Sequence, residues 1–245
     1  MMRFIPLVSA FVLISTAAHG TDSRWTDLLA ENSTDSWRSV RSENFPSHGW
    51  TLADGVLTVH KSGGEESRGG GDIVTRARYS SFELEVEFRM TPGCNSGIKF
   101  FVQPNLSPID RLTGRPTNLG SAIGPEFQIL DDARHPDAKA GRDGNRTVAS
   151  LYDLIPAAAG KVVKPMGEWN QARIVVRGSQ VEFHLNGKKT LAYDRHSAAY
   201  RELVAQSKYN IIPEFGEWTD GHILLQDHGD EVSFRNVRIR ELTAD

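Results

Sequence analysis

The segment Gln226-Asp227-His228-Gly229-Asp230-Glu231 gathers an amide, three carboxylates and an imidazole into six consecutive residues. Two uses fit those types. An Asp-His-Gly run suits a tight reversal, because glycine takes positive φ freely and an aspartate side chain bonds its own backbone. Turned toward a cleft, the same groups can exchange protons with a polar ligand. The choice depends on the strands that lead to this joint. In PEFQIL, Glu126 and Gln128 alternate with Phe127 and Ile129, so the polar pair leaves the strand on the face opposite the apolar pair. In SFELEVEFRM, Phe82, Leu84, Val86 and Phe88 alternate with Glu83, Glu85, Glu87 and Arg89, which gives one core face and one charged face. If these strands are neighbours, Glu85, Glu87, Lys99, Glu126 and Gln128 line one hydrogen-bonding floor. Such a floor suits sugars, whose hydroxyls need donors and acceptors together. The competing reading is a solvated charged face. Glu83, Glu85 and Glu87 also resemble the carboxylate pairs of sandwich-fold glycosidases, but the acid-to-nucleophile separation that chemistry requires is not readable from sequence. The chain contains no H-E-x-x-H, no G-x-S-x-G, no phosphate-binding loop and no cysteine cluster.

The elements that must position these groups read with a period of two. GWTLADGVLTVH places Asp54-Gly55 between two apolar runs, and VEFHLNGKKTLAY does the same with Asn186-Gly187; both pairs accept the positive φ of two-residue hairpins. GIKFFV, QARIVVRGSQVEFHL and EVSFRNVRIREL supply further strands, whereas TDLLAENS and SAAYRELVAQ each have room for two helical turns. Many short strands without a β-α-β rhythm predict an all-β fold, a two-sheet antiparallel β-sandwich of jelly-roll type. Two long polar stretches, Pro104–Gly124 and Asp131–Ser150, flank the Glu126 strand and have the length of functional covers.

MMRFIPLVSAFVLISTAAHG carries one Arg before an uncharged run and small residues at its end, which reads as a secretory signal peptide over residues 1–20. The run is too short for a lasting membrane span. One sandwich domain is expected over 21–245, exported to the periplasm or secreted. With 28 Lys+Arg against 31 Asp+Glu, a net charge of −3 and no basic run, nucleic acid is not an expected partner. Cys94 is the sole cysteine, so no intrachain disulfide forms, and it reads as a small buried residue beside a turn.

The pieces FELEVEFRM, NSGIKFFV, EFQILDD, ASLYDLIP, EWNQARIVVRGSQVEFHLNG and LLQDHGDEVSFRNVRI follow one another in the order and spacing of a known domain family. From Trp50 to Leu242 the chain resembles the 3-keto-disaccharide hydrolase (DUF1080) family, whose fold is a concanavalin-like jelly roll. The resemblance implies cleavage of glycosides already oxidised at C3. A C3 ketone acidifies the C2 proton; a base removes it, the C1 oxygen leaves, and water adds back across the enone. That chemistry asks for a base, a group to stabilise the enolate oxygen, and an acid at the leaving oxygen.

The resemblance implies Glu126 as base or metal ligand, and His228 as acid/base partner, since imidazole ordinarily titrates near neutral pH. It implies Lys99 as the cation polarising the ketone. Glu87, Asn95, Ser96, Gln128, Asp131, Tyr152, Gln226 and Asp227 are the candidate substrate-binding residues, with Asp227 expected to fix the His228 tautomer. A divalent ion such as calcium, manganese or zinc, held by Glu126 and His228, could do the enolate work instead. The alternative from another class is a carbohydrate-binding module without catalysis. Only five Trp and five Tyr occur, however, and the titratable set Glu126, His228 and Lys99 points toward chemistry.

Overall fold

The two-residue reversals form where glycine and its partner demand them. In the computed structural model, which describes residues 23–63, 66, 69–106 and 121–243, Asp54 and Gly55 have φ of 52° and 72°, and Asn186 and Gly187 have 51° and 78°. They close the hairpins of β3 (Trp50–Ala53) with β4 (Val56–Val59), and of β10 (Gln180–Leu185) with β11 (Lys188–Asp194). With β1 (Thr26–Asp27), β6 (Phe82–Met90), β9 (Trp169–Arg177) and β13 (Val232–Glu241), these strands make an eight-stranded sheet ordered β11-β10-β9-β6-β13-β4-β3, β1 pairing with β13. The facing sheet has five strands, β2 (Trp37–Ser39), β5 (Ile73–Thr75), β12 (His222–Leu225), β7 (Asn95–Val102) and β8 (Glu126–Leu130), in that spatial order. Every ladder is antiparallel, so the expected two-sheet sandwich is the fold. The signal segment read at 1–20 and residues 107–120 of the first long loop lie outside the described residues.

Between the sheets the alternating apolar residues interlock. Phe82 and Phe88 of β6 meet Phe100 of β7 and Phe127 of β8, and Phe183 of β10 bridges the last two with ring centroids 5.9 and 5.2 Å away. All five rings are fully buried, as are Ile98, Ile129, Ile174 and Phe234. Because Phe127 and Ile129 are committed to this core, Glu126 and Gln128 are turned to the opposite side of the five-stranded sheet. Phe101 takes a φ of 50°, a bulge that sends both Phe100 and Phe101 inward. Opposite it, a Cβ at Gly221 would sit 2.2 Å from the Phe101 backbone, so only glycine fits there.

The helical expectation divides. Ala198–Ala205 forms α1, with the Ser197 side chain accepting from the Tyr200 N–H as its cap. TDLLAENS gives only a 3-10 turn at Ala30–Asn32, with Glu31 and Asn32 at positive φ. There Leu28 and Leu29 are adjacent and both buried, which a helix presenting one apolar stripe does not favour.

Candidate active site

The outer face of the five-stranded sheet carries the cluster. Lys99 and Glu126 are direct cross-strand partners on β7 and β8, and Gln128 pairs with Gly97. The Glu126 side chain lies over Gly97: a Cβ there would fall 2.1 Å from Glu126 Oε1. Glycine in NSGIK therefore opens the floor for a carboxylate. Glu126 is 5% exposed, its Oε2 is 3.7 Å from Lys99 Nζ, and no described residue hydrogen-bonds to its carboxylate. Burial pushes its pKa up, a shift that Lys99 and then Lys208 oppose without cancelling. Lys99 is itself anchored, donating to the Ala122 carbonyl at 3.2 Å.

The second cation, Lys208, comes from the 3-10 turn Lys208–Ile211 that follows α1. Its ammonium lies 4.4 Å from the Tyr152 ring centroid and 5.2 Å from that of Tyr209. Those rings are fixed in turn. The Tyr152 hydroxyl donates to Asp137 Oδ2 at 2.8 Å, while Arg146 joins Asp137 Oδ1 at 2.8 Å to Asp153 Oδ1 at 2.9 Å and covers the same ring. Tyr209 stacks on Phe215 at 4.0 Å. The stretch Asp131–Ser150, expected as a cover, supplies this Asp137–Arg146 brace, with Pro136–Lys139 in a 3-10 turn.

At the joint after β12, Gln226 and His228 face the cleft and Asp227 does not. Gln226 Nε2 donates to Glu66 Oε1 at 3.0 Å, while Gln226 Oε1 and His228 Nδ1 are buried with no partner among the described residues. Buried polar atoms left so are costly, and a hydroxyl-rich ligand relieves that cost. The His228 ring packs edge-on to His135 at 6.3 Å. Together Glu126, Lys99, Lys208, Gln128, Asn95, Tyr152, Tyr209, Gln226, His228, Glu66 and the 121–124 backbone line one cleft. Two carboxylates, an imidazole, two ammonium groups and three amides converging on one cleft are equipped for proton transfer beside a sugar ring.

The comparisons agree with that inventory. A model of the 3-keto-alpha-glucoside-1,2-lyase-like domain matches residues 24–240. The chain belongs to this family. A 3-keto-disaccharide hydrolase of Bacteroides thetaiotaomicron is 37% identical over 218 residues, 84% of this chain and 74% of that protein. A candidate glycosyl hydrolase of Parabacteroides distasonis superposes with a TM-score of 0.71 at 26% identity, covering 89% of this chain and 94% of the other. A protein of unknown function with a galectin-like fold from Bacillus subtilis, 13% identical with a TM-score of 0.53 over 92% of this chain and 98% of its own, shares the fold. As a member of the 3-keto-alpha-glucoside-1,2-lyase-like family, the chain is a glycoside-cleaving enzyme.

Several expected positions are corrected by the family member's structure. The single floor including Glu85 and Glu87 does not form, because β6 lies in the other sheet; there Glu87 pairs with Arg235 at 2.7 Å and Glu85 with Arg238 at 2.6 Å. Ser96 points to the opposite side of β7 from Asn95, its hydroxyl donating to the Gln226 carbonyl at 2.8 Å. Asp131 accepts from the Gly93 N–H at 2.8 Å and from Arg134 at 3.0 Å, outside the cleft lining. Asp227 does not hold His228: its carboxylate accepts from the Gly71 and Gly229 N–H groups at 2.9 and 3.0 Å, and its own N–H donates to Asp72. Glu126 and His228 both line the cleft; among the described residues no group of three His, Cys, Asp or Glu stands together, and the charges facing Glu126 most strongly are ammonium groups. Cys94 is buried with its thiol pushed up to about 12, as a packing residue. The groups unforeseen in sequence are Lys208, Tyr209, Glu66 and the buried Asp72, which accepts from the Ser121 hydroxyl and the Ala122 N–H.

Proposed function

We propose that this chain cleaves the glycosidic bond of 3-keto-glycosides by elimination and hydration. The observation that carries the reading is the Glu126 carboxylate, raised in pKa by burial, free of hydrogen bonds from described residues and flanked by Lys99 and Lys208. A carboxylate so placed is a stronger base than a solvated one, and its neighbouring cations favour an anionic transition state. Glu126 takes the C2 proton; the C2–H electrons form the C2–C3 double bond and the carbonyl pair moves onto the C3 oxygen. Collapse of that enolate expels the C1 oxygen, which receives a proton from His228. Water then adds at C1 and the proton returns to C2, so the net change is one water consumed per bond broken. Gln226 and Asn95 supply amide contacts to the sugar hydroxyls. The mixture of retained charge and orphaned amide and imidazole atoms favours this over plain sugar binding, which needs no base.

Two substrates test the reaction. Aglycone release from a 3-keto-glucoside, with none from the unoxidised glucoside, is the expected result; equal release from both overturns it. Export is proposed with it, on the signal-like residues 1–20, and no described helix is long and apolar enough to cross a membrane. Mass analysis of the protein from the cell envelope fraction should find a chain starting at Thr21, and a chain retaining Met1 contradicts it.

A further inference from the structure

Lys99 and Lys208 both influence Glu126, but the structure leaves them with different freedom. Lys99 is 6% exposed; its Nζ is committed to the Ala122 carbonyl at 3.2 Å and to Glu126 at 3.7 Å, and the buried Asp72 adds a further negative charge to its surroundings. Protein oxygens thus stand opposite two of its three N–H donors, which leaves at most one for a substrate oxygen. Lys208 is exposed at the cleft, and no carboxylate of a described residue lies within ion-pair distance of its ammonium. That ammonium rests on two tyrosine faces at 4.4 and 5.2 Å, which leaves N–H donors uncommitted.

The root of Lys208 is nevertheless fixed. Its backbone N–H donates to Asp153 Oδ2 at 3.0 Å, and the other Asp153 oxygen is held by Arg146. Ser207 caps the turn by accepting from the Tyr209 N–H. A rigid base carrying an uncommitted cation, beside a buried carboxylate, is the arrangement an enolate-forming site needs. The protein around the ammonium lowers its pKa, Glu126 opposes that shift and Lys99 adds to it; the solvent reaching the side chain limits it.

We infer that Lys208 binds the keto oxygen of the substrate and receives the negative charge that develops there as the C2 proton leaves, while Lys99 holds Glu126 in place. The inference rests on the proposed reaction. When the C2–H bond breaks toward Glu126, the carbonyl electron pair moves to the C3 oxygen, and the Lys208 N–H donors stabilise it without transferring a proton. Electron flow reverses as the C1–O bond breaks, so Lys208 ends unchanged.

The test compares Lys208→Ala and Lys208→Arg with the wild-type protein on a 3-keto-glucoside. Binding of 3-keto-glucose and of glucose is measured by calorimetry, and melting temperature checks folding. The expected result is a kcat lower by about a hundredfold for Lys208→Ala, as for loss of one oxyanion donor. Arginine, which keeps charge and donors, should restore about tenfold of that. The alanine variant should also lose preference for 3-keto-glucose over glucose. A folded Lys208→Ala with kcat within about threefold of wild type and unchanged preference overturns the assignment. Failure of the reaction itself looks different: wild-type protein would then release product from oxidised and unoxidised glucosides alike, whatever stands at 208.

Discussion

Replacing Gly97 by alanine places a methyl group where the Glu126 side chain now lies. The added carbon would be 2.1 Å from Oε1, 2.7 Å from Cδ and 2.9 Å from Cγ of Glu126. All three atoms belong to one side chain, so the clash is relieved by rotating Glu126 and not by moving the sheet. Restoring ordinary contact requires the carboxylate to retreat by about 1 Å or more. A misplacement of that size at a reacting group costs roughly a hundredfold in rate, or about 2.7 kcal/mol of activation free energy. Stability should change far less. Gly97 is not in the left-handed region, so alanine adopts its backbone freely, and the stiffer unfolded chain contributes about 0.4–1 kcal/mol toward stability. The weakened Lys99–Glu126 pair offsets part of that. Gly97→Ala should therefore melt within a few degrees of wild type, while kcat/KM on a 3-keto-glucoside falls about a hundredfold. A cycle with Glu126→Gln isolates the cause: if the methyl acts through the carboxylate, the double variant is no slower than Glu126→Gln alone. A folded Gly97→Ala of wild-type activity, or a full further loss in the double variant, refutes the reasoning.

Three other outcomes are expected. Glu126→Gln and His228→Asn should each lower turnover by about a hundredfold or more with near-native melting; early melting with full activity in the folded fraction would return that residue to the scaffold. Lys99→Met removes a charge that now opposes burial at Glu126, so the carboxylate pKa rises further and the acid limb of the kcat/KM profile moves to higher pH; a limb that stays put denies the coupling. Glu83 is raised by burial, but hydrogen bonds from Arg240 and Arg173 outweigh this and lower its pKa below the ordinary 4.5. Its contribution to stability is therefore complete above the unfolded value and lost as pH falls through the lowered one. Glu83→Gln should flatten the acid side of melting temperature against pH while leaving turnover unchanged, and an unaltered slope would count against the linkage.

The alternation in PEFQIL was enough to place Glu126 and Gln128 away from the core, because a strand committed by Phe127 and Ile129 has no second way to face. Asp54-Gly55 and Asn186-Gly187 declared their hairpins through positive φ alone. Sheet membership was another matter. SFELEVEFRM and PEFQIL have the same period, and only long-range pairing puts Glu87 against Arg235 and Glu126 against Lys99. Lys208 carried no local signal, since its place in the cleft depends on α1 and on the Asp153–Arg146 brace. Asp227 looked like a histidine's partner by adjacency, yet neighbouring residues on an extended chain point apart, and its carboxylate went to the Gly71 and Gly229 amides. The glycine in NSGIK has no local pattern that declares its use, which depends on Glu126 of the neighbouring strand lying across it.

β8 is the last strand of its sheet, and so ought to present a free edge. It does not, because the returning chain seals it: the Ala149 N–H donates to the Gln128 carbonyl at 2.9 Å, the Tyr152 N–H to the Glu126 carbonyl at 3.0 Å, and the Gln128 N–H to the Ser150 carbonyl at 3.2 Å. One segment is thus both a wall of the cleft, through Tyr152, and the guard that keeps foreign strands from adding to the sheet. Evolution cannot loosen that wall to admit a bulkier glycoside without also baring a strand edge. Variants of the 145–152 segment selected for broader substrates should accordingly show self-association in light scattering alongside their altered specificity, whereas changes at the Lys208 side of the cleft should not.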